Sequence, residues 1–217
     1  MTLPQTESHQ PVQPFVLGRL SDVVPQSVLR SLQTGIAIRQ KASLALVEPE
    51  DGGFRYLPPS YEESSGSALC AMLRGTEQGR ELCEACDFAM AREVFEQGPG
   101  ARAVWGECHM GLCGLAAPIV VADKVAAVLL CGQKAAPGRR EAIRQRASAL
   151  AGQIDSLDEE ALLAAIERLD ECTPEQRERM EEVAGQHADE IGKLGQDRYD
   201  VERRLRQEYL LNELMMA

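Results

Sequence analysis

Apolar and polar positions follow three regimes along this 217-residue chain. Residues 1–17 scatter Pro4, Pro11 and Pro14 among Gln, Ser and Thr with no apolar period, and read as a disordered tail. From 18 to 137, helical and strand periods alternate in short segments. Ser21-Asp22 can cap a helix carrying Val28, Leu29 and Leu32, with Thr34-Gly35 as its stop. Ile36-Ala37-Ile38 and residues 44–47 read as strand. Glu50-Asp51-Gly52-Gly53 reads as a hairpin turn, with 54–57 returning. Residues 68–97 read as helix in two pieces, broken around 75–79. The second piece sets Leu82, Cys83, Cys86, Met90 and Val94 at spacings of one to four. Gly98-Pro99-Gly100 ends it, 103–105 is a strand and 108–113 a loop. Residues 118–121 and 125–130 then form a hairpin turning at Asp123-Lys124.

After Pro137-Gly138 the pattern is wholly helical. A helical extension over 138–173 holds helices near 139–151 and 158–171. Pro174, suited to a first helical turn, opens a third helix running almost to the end of 174–217. There Ile191, Leu194, Val201 and Leu205 follow the 3-4 alternation of a coiled coil. His187, Arg198 and Glu208 interrupt that seam, and Gly185, Gly192 and Gly195 weaken it. The expectation is a parallel homodimer joined through a signalling helix; the alternative is a solvated helix packed on its own domain. The fold class is α/β of the α+β kind: an antiparallel sheet flanked by helices, with a helical tail and a long coiled-coil-like final helix.

Charge and cysteine usage narrow the function. Thirty-four acidic residues against 23 basic give a formal net charge of -11, which repels phosphate backbones and anionic membranes. Aromatic residues are only 4%, too few for a base-stacking platform. The most apolar stretch, 112–131, is interrupted by Pro118, Asp123 and Lys124, so it reads as two strands and a turn rather than a membrane span. An odd count of seven cysteines, and an N-terminus without a basic and then apolar leader, point to a reducing cytoplasm.

In such a compartment clustered thiols are ligands, redox groups or small buried hydrophobes. Cys83 and Cys86, three apart on a helix, share a face, while Cys108 and Cys113 lie in a glycine-containing loop. Cys70 precedes them, and His109 adds an imidazole. Cys70, Cys83, Cys86, Cys108 and Cys113 are therefore candidate ligands of structural zinc or an iron–sulfur cluster. Cys131, ending an apolar strand, reads more strongly as a small buried hydrophobe, and Cys172, in the tail, as incidental. No phosphate loop, G-x-S-x-G or H-E-x-x-H is present, and Cys108–His109 lacks an orienting acid, so the chain is not expected to be an enzyme.

Leu69-Cys70, Cys83, Cys108-His109-x-Gly111-Leu112, Pro118-Ile119 and Leu130-Cys131-Gly132-Gln133 follow one another in an order that resembles the PocR sensory domain, over roughly 20–150. The resemblance implies a PAS-like sensor for small hydrocarbon derivatives such as short alcohols and diols. It also implies an output domain: a histidine kinase, diguanylate cyclase or DNA-binding regulator. Cys70, Cys83, Cys108 and His109 fall on the pattern's polar positions, and Gly132 and Gln133 close its core. Met110 stands where the pattern usually has a small residue, and Cys86 and Cys113 are additions.

The expected ligand-binding residues are His109, Met110, Leu112 and Gln133. The pocket is expected between the sheet and the 70–94 helices, with walls from Leu69, Leu82, Met90, Leu112 and Leu129. A zinc-stabilised structural or dimerisation protein and a thiol redox sensor are the rival readings.

Overall fold

The computed structural model describes residues 18–40, 43–57 and 67–216; the expected tail over 1–17 lies outside them. A short 3-10 turn, Leu20–Asp22, leads into α1 (Gln26–Gln40), followed by strands β1 (Ser43–Glu50) and β2 (Gly53–Leu57). Next come α2 (Ala68–Arg74), α3 (Glu77–Gln97), β3 (Val104–Glu107), β4 (Leu112–Val121) and β5 (Lys124–Ala135). Helices α4 (Arg140–Ala151), α5 (Glu159–Ile166) and α6 (Pro174–Met216) complete the chain. The strands form one sheet in the order β2-β1-β5-β4-β3, antiparallel at every pairing. The expected PAS-like antiparallel sheet flanked by helices is therefore present.

Side-chain alternation gives the sheet two apolar faces. Leu44, Leu46, Leu115, Ala117, Ile119, Val121 and Leu129 pack on one face against Leu29 and Ile36 of α1 and Ala184, Ala188 and Ile191 of α6. Ala45, Val47, Ala116, Val128 and Leu130 meet Ala91 and Val94 of α3 on the other. A third core gathers Leu69, Cys70, Leu73 and Cys83 with Met110, Leu112, Ile143, Leu162 and Ile166, joining α2 to α4 and α5. The chain after α5 returns to the sheet: Glu171 bridges Ala135 in parallel, and Cys172 N donates to Ala135 O at 2.7 Å.

Four expectations change. Gly35 does not stop α1, and Ile36 and Ala37 are helical rather than strand. They extend the stripe begun by Leu29 and Gln33 at 3-4 spacing, and burying that stripe outweighs the modest cost of an exposed glycine. Pro118 lies inside β4 rather than opening a strand. β3 pairs only as far as Ala116, so among the described residues Pro118 lies where the outer edge of β4 has no paired strand, a place that tolerates a residue without an N–H. The second tail helix is shorter than 158–171, because the chain leaves α5 after Ile166 to reach Ala135.

Helix α6 also divides the expected coiled-coil seam. Ile191 is 2% exposed, and Leu194 packs against the α1/α6 core, so both serve the chain's own sheet. Val201 and Leu205, 52% and 55% exposed, do not.

Candidate functional site

Two local devices build a cleft between α2/α3 and the β4–β5 strands. The first is a tight turn after β3. Gly111 N donates to Cys108 O at 2.7 Å and Cys108 N to Leu112 O at 3.0 Å, with Gly111 at φ +83°, where a side chain would be strained. The turn sends Met110 into the α4/α5 core and sets Cys108 and His109 over α3. The second device is a β-bulge. Cys113 pairs with Lys134 and Gly114 with Gly132, leaving Gln133 as the extra residue, at φ +79°. A left-handed non-glycine residue in a bulge is strained, and here it re-aims a polar side chain into the cleft.

The cleft is small: about 40 Å3 of it admits a water-sized molecule, and the figure reaches about 450 Å3 only when the gaps between atoms and the open mouth are counted. Its apolar walls are Met90, Leu112 and Leu130; its polar groups are Arg74, Asp87 and Gln133, and five cysteines, Cys70, Cys83, Cys108, Cys113 and Cys131, also line it. Gly106 and Gly114 make room for Met90, whose Sδ and Cε would lie 2.8 Å and 3.2 Å from a Cβ at those positions. Gln133 Oε1 accepts from Ser67 N at 3.1 Å, leaving its amide nitrogen with no acceptor among the described residues.

A charged network forms the inner wall. Arg74, the last residue of α2, donates from a terminal nitrogen to Asp87 Oδ2 at 2.6 Å, and Tyr56 of β2 donates its hydroxyl to the same oxygen at 2.7 Å. Burial raises the Asp87 pKa above the ordinary aspartate value, against the guanidinium and the phenol, which pull it down. Tyr56 is raised as well, by burial and by the Asp87 charge.

The thiols are kept neutral. Burial pushes Cys70 and Cys83 up to about 12. Cys86, Cys108 and Cys113 are also raised, chiefly by burial. His109 is lowered by burial, with Arg74 and Arg146 adding to the effect; its Nε2 lies 3.4 Å from Cys83 Sγ, and its backbone N donates to Cys86 Sγ at 3.2 Å. A raised thiol is a poor nucleophile and must lose its proton before binding a metal.

The expected metal set is not gathered in one place. Among the described residues no three Cys, His, Asp or Glu side chains form a group that could hold a metal ion. Cys70, Cys83, Cys86 and Cys108 share the α3 side; Cys113 also reaches the cleft lining, but the charged groups that act on its thiol are Glu107, Arg177 and Arg139. The reason is the strand period: Cys113 has the parity of Leu115, which faces the α6 side of the sheet.

Of the expected ligand-binding residues, Leu112 and Gln133 line the cleft. His109 stands behind Cys83, and Met110 is core rather than wall. Leu82 is 39% exposed, Leu129 faces α6 and Leu69 packs toward α5, so none of the three is a wall. The sequence reading missed Arg74, Asp87 and Tyr56. A signal was available for Asp87: it falls on the stripe Gly79, Cys83, Asp87, Ala91, Val94 that α3 buries, and a lone carboxylate on an apolar stripe needs a partner.

The family model for the sensory domain found in PocR matches residues 22–196, from the turn before α1 into α6, and so takes in the whole sheet, the cleft, α4 and α5. No curated protein and no solved structure matched the chain.

Proposed function

The chain belongs to the PocR sensory-domain family, and we propose that it is a cytoplasmic sensory module of bacterial signal transduction that binds a small, weakly polar organic molecule of the short alcohol or diol class. The observation that carries this reading is the cleft itself: apolar walls, a Gln133 amide held out by a strained bulge, and a buried charge pair at the back. Neutral, buried thiols suit a binding wall better than a redox centre. All seven cysteines are free, as suits a reducing compartment. Among the described residues no helix is long and apolar enough to cross a membrane.

The same strands carry the cleft on one face and α6 on the other. Gly114, Leu130 and Gly132 line the cleft, while Ile119, Val121 and Leu129 pack in the core that holds Ile191. An occupant that favours one arrangement of β4 and β5 is therefore felt by α6, which would pass the bias to an output domain such as a histidine kinase, diguanylate cyclase or DNA-binding regulator.

Thermal melts against a panel of short alcohols, diols, aldehydes and acids test the binding. At a hundredfold excess over Kd, a ligand of the folded state adds about 2.7 kcal/mol, which in a chain of this size raises Tm by roughly 5–10 °C. At least one alcohol or diol is expected to do so, with a smaller shift in Gln133→Ala; a flat panel argues against the class.

The distal part of α6 is proposed to join two copies in parallel. Val201, Leu205, Tyr209, Leu211, Leu214, Met215 and Met216 are exposed on this one helix, and so much apolar surface in so short a stretch marks an interaction site. The chain is expected to sediment as a dimer at micromolar concentration. Val201→Asp with Leu205→Asp should yield a monomer of unchanged melting temperature, since neither side chain supports the core. A wild-type chain that stays monomeric at high concentration removes the proposal.

A further inference from the structure

We propose that Asp87 selects the ligand, accepting a hydrogen bond through Oδ1 from a neutral hydroxyl, so that the cleft takes alcohols and rejects both donor-less isosteres and carboxylates. The inference rests on the cleft being the binding site for that class and adds the residue that selects it. Asp87 is 6% exposed and lines the cleft. Both of its protein donors, the Arg74 guanidinium and the Tyr56 hydroxyl, converge on Oδ2. Oδ1 receives no donor among the described residues. The residue is buried but Oδ1 is not sealed in with it, and the cleft that Asp87 lines is the side from which a ligand's donor reaches this oxygen.

The charges decide which partner fits. Arg74 and Asp87 neutralise each other at 2.6 Å. A carboxylate ligand would bring acceptors only and face Oδ1 with like charge, while the guanidinium is already turned to Oδ2 and Tyr56. An ammonium would gain from Oδ1 but lie beside the guanidinium. A hydroxyl donates to Oδ1 without introducing charge, and it still has lone pairs for a donor such as the Gln133 amide nitrogen. An ether of the same size offers no proton and would leave Oδ1 unpaired against an apolar group.

The test compares n-butanol, methyl propyl ether and n-butyrate, which are close in size, by titration calorimetry and thermal melts on the full chain. Wild-type protein should bind the alcohol at least about tenfold tighter than the ether or the acid, the effect of one hydrogen bond to a charged group. Asp87→Asn sharpens the comparison. Its amide oxygen must take the Oδ2 position to keep the Arg74 and Tyr56 donors, so its amide nitrogen turns to the cleft and an acceptor becomes a donor. The alcohol-over-ether preference should then fall to about onefold or invert. An ether that binds the wild type as tightly as the alcohol overturns the role of Asp87 while leaving the cleft as a site. An unchanged preference in a folded Asp87→Asn protein does the same. If none of the three binds the wild type, the binding site itself is lost and this inference goes with it. The wild-type comparison stands even if the variant fails to fold.

Discussion

Gly192→Ala is expected to destabilise this protein and Gly185→Ala to stabilise it, although both replace a glycine within α6. An alanine ordinarily gains up to about 1 kcal/mol over glycine in a helix interior. At Gly185 a Cβ would meet nothing within 4 Å, so the full gain is expected there. At Gly192 a Cβ would stand 2.8 Å from the carbonyl oxygen of Val120, and at Gly195 2.7 Å from Val121 Cγ2 and 3.2 Å from Leu20 Cδ1. The obstacle at Gly192 is strand backbone, which cannot swing aside as a flexible side chain can. Either α6 lifts from β4 or the strand end moves. Gly192→Val should therefore cost about 3 kcal/mol, the upper end of overpacking, with Gly192→Ala intermediate. Lifting the helix would also strain the 2.7 Å bond from Ala122 N to Gln196 Oε1, which ties the β4–β5 turn to α6. Denaturant unfolding of the three variants measures the differences, and a Gly192→Val protein as stable as wild type would mean α6 is not seated this closely.

These glycines show where sequence reasoning reached and where it stopped. As isolated residues they weaken a helix, and from sequence alone they are flaws in a coiled-coil seam. Their function appears only once β4 lies beneath them, because close approach is a property of two elements and period 3.6 reports on one. The strands themselves were legible: the Glu50 to Gly53 turn and the break between α2 and α3 are local events, set by glycine and by Ser67 and Thr76 as helix caps. Ile36 and Ala37 were not, since a short apolar run fits helix and strand equally until the core that receives it is known.

At the site, Gln133 and Leu112 could be picked out because they fall on the two elements, 108–112 and 130–133, that carry the resemblance to the PocR sensory domain. Arg74, Asp87 and Tyr56 come from two helices and an edge strand, 13 and 31 residues apart by their hydrogen bonds to Asp87. A charge network of that kind has no spacing rule to betray it. The five candidate metal ligands are divided for the opposite reason: nearness in sequence at 108–113 hid a strand start at Leu112, beyond which alternate side chains take opposite faces of the sheet.

The same network predicts the most damaging single substitution. Arg74→Ala should cost about 3–5 kcal/mol, because it leaves a buried carboxylate facing an uncharged wall. Arg74 and Asp87 keep only 11% and 9% of their side-chain surface exposed, so water cannot replace the lost guanidinium cheaply. The loss should depend on pH, in a direction the burial fixes. The folded state already holds the Asp87 proton more tightly than the unfolded chain does, since burial raises its pKa. Across the window between the ordinary aspartate value, about 3.8–3.9, and the raised folded one, stability from this group falls as pH rises; above the window the penalty is constant. Without Arg74 the largest opposing influence is gone, the folded value rises further, and the window extends upward. The deficit of Arg74→Ala relative to wild type should therefore be smallest in acid, where Asp87 is neutral in both proteins, and grow toward neutral pH. Comparing variant with wild type at each pH cancels the many other carboxylates. Replacing both partners, Arg74→Met with Asp87→Leu, should recover much of the stability at neutral pH and remove the extra pH dependence. A deficit that is flat with pH, or a double variant no better than the single one, would show that Arg74 contributes packing against Tyr56 rather than charge.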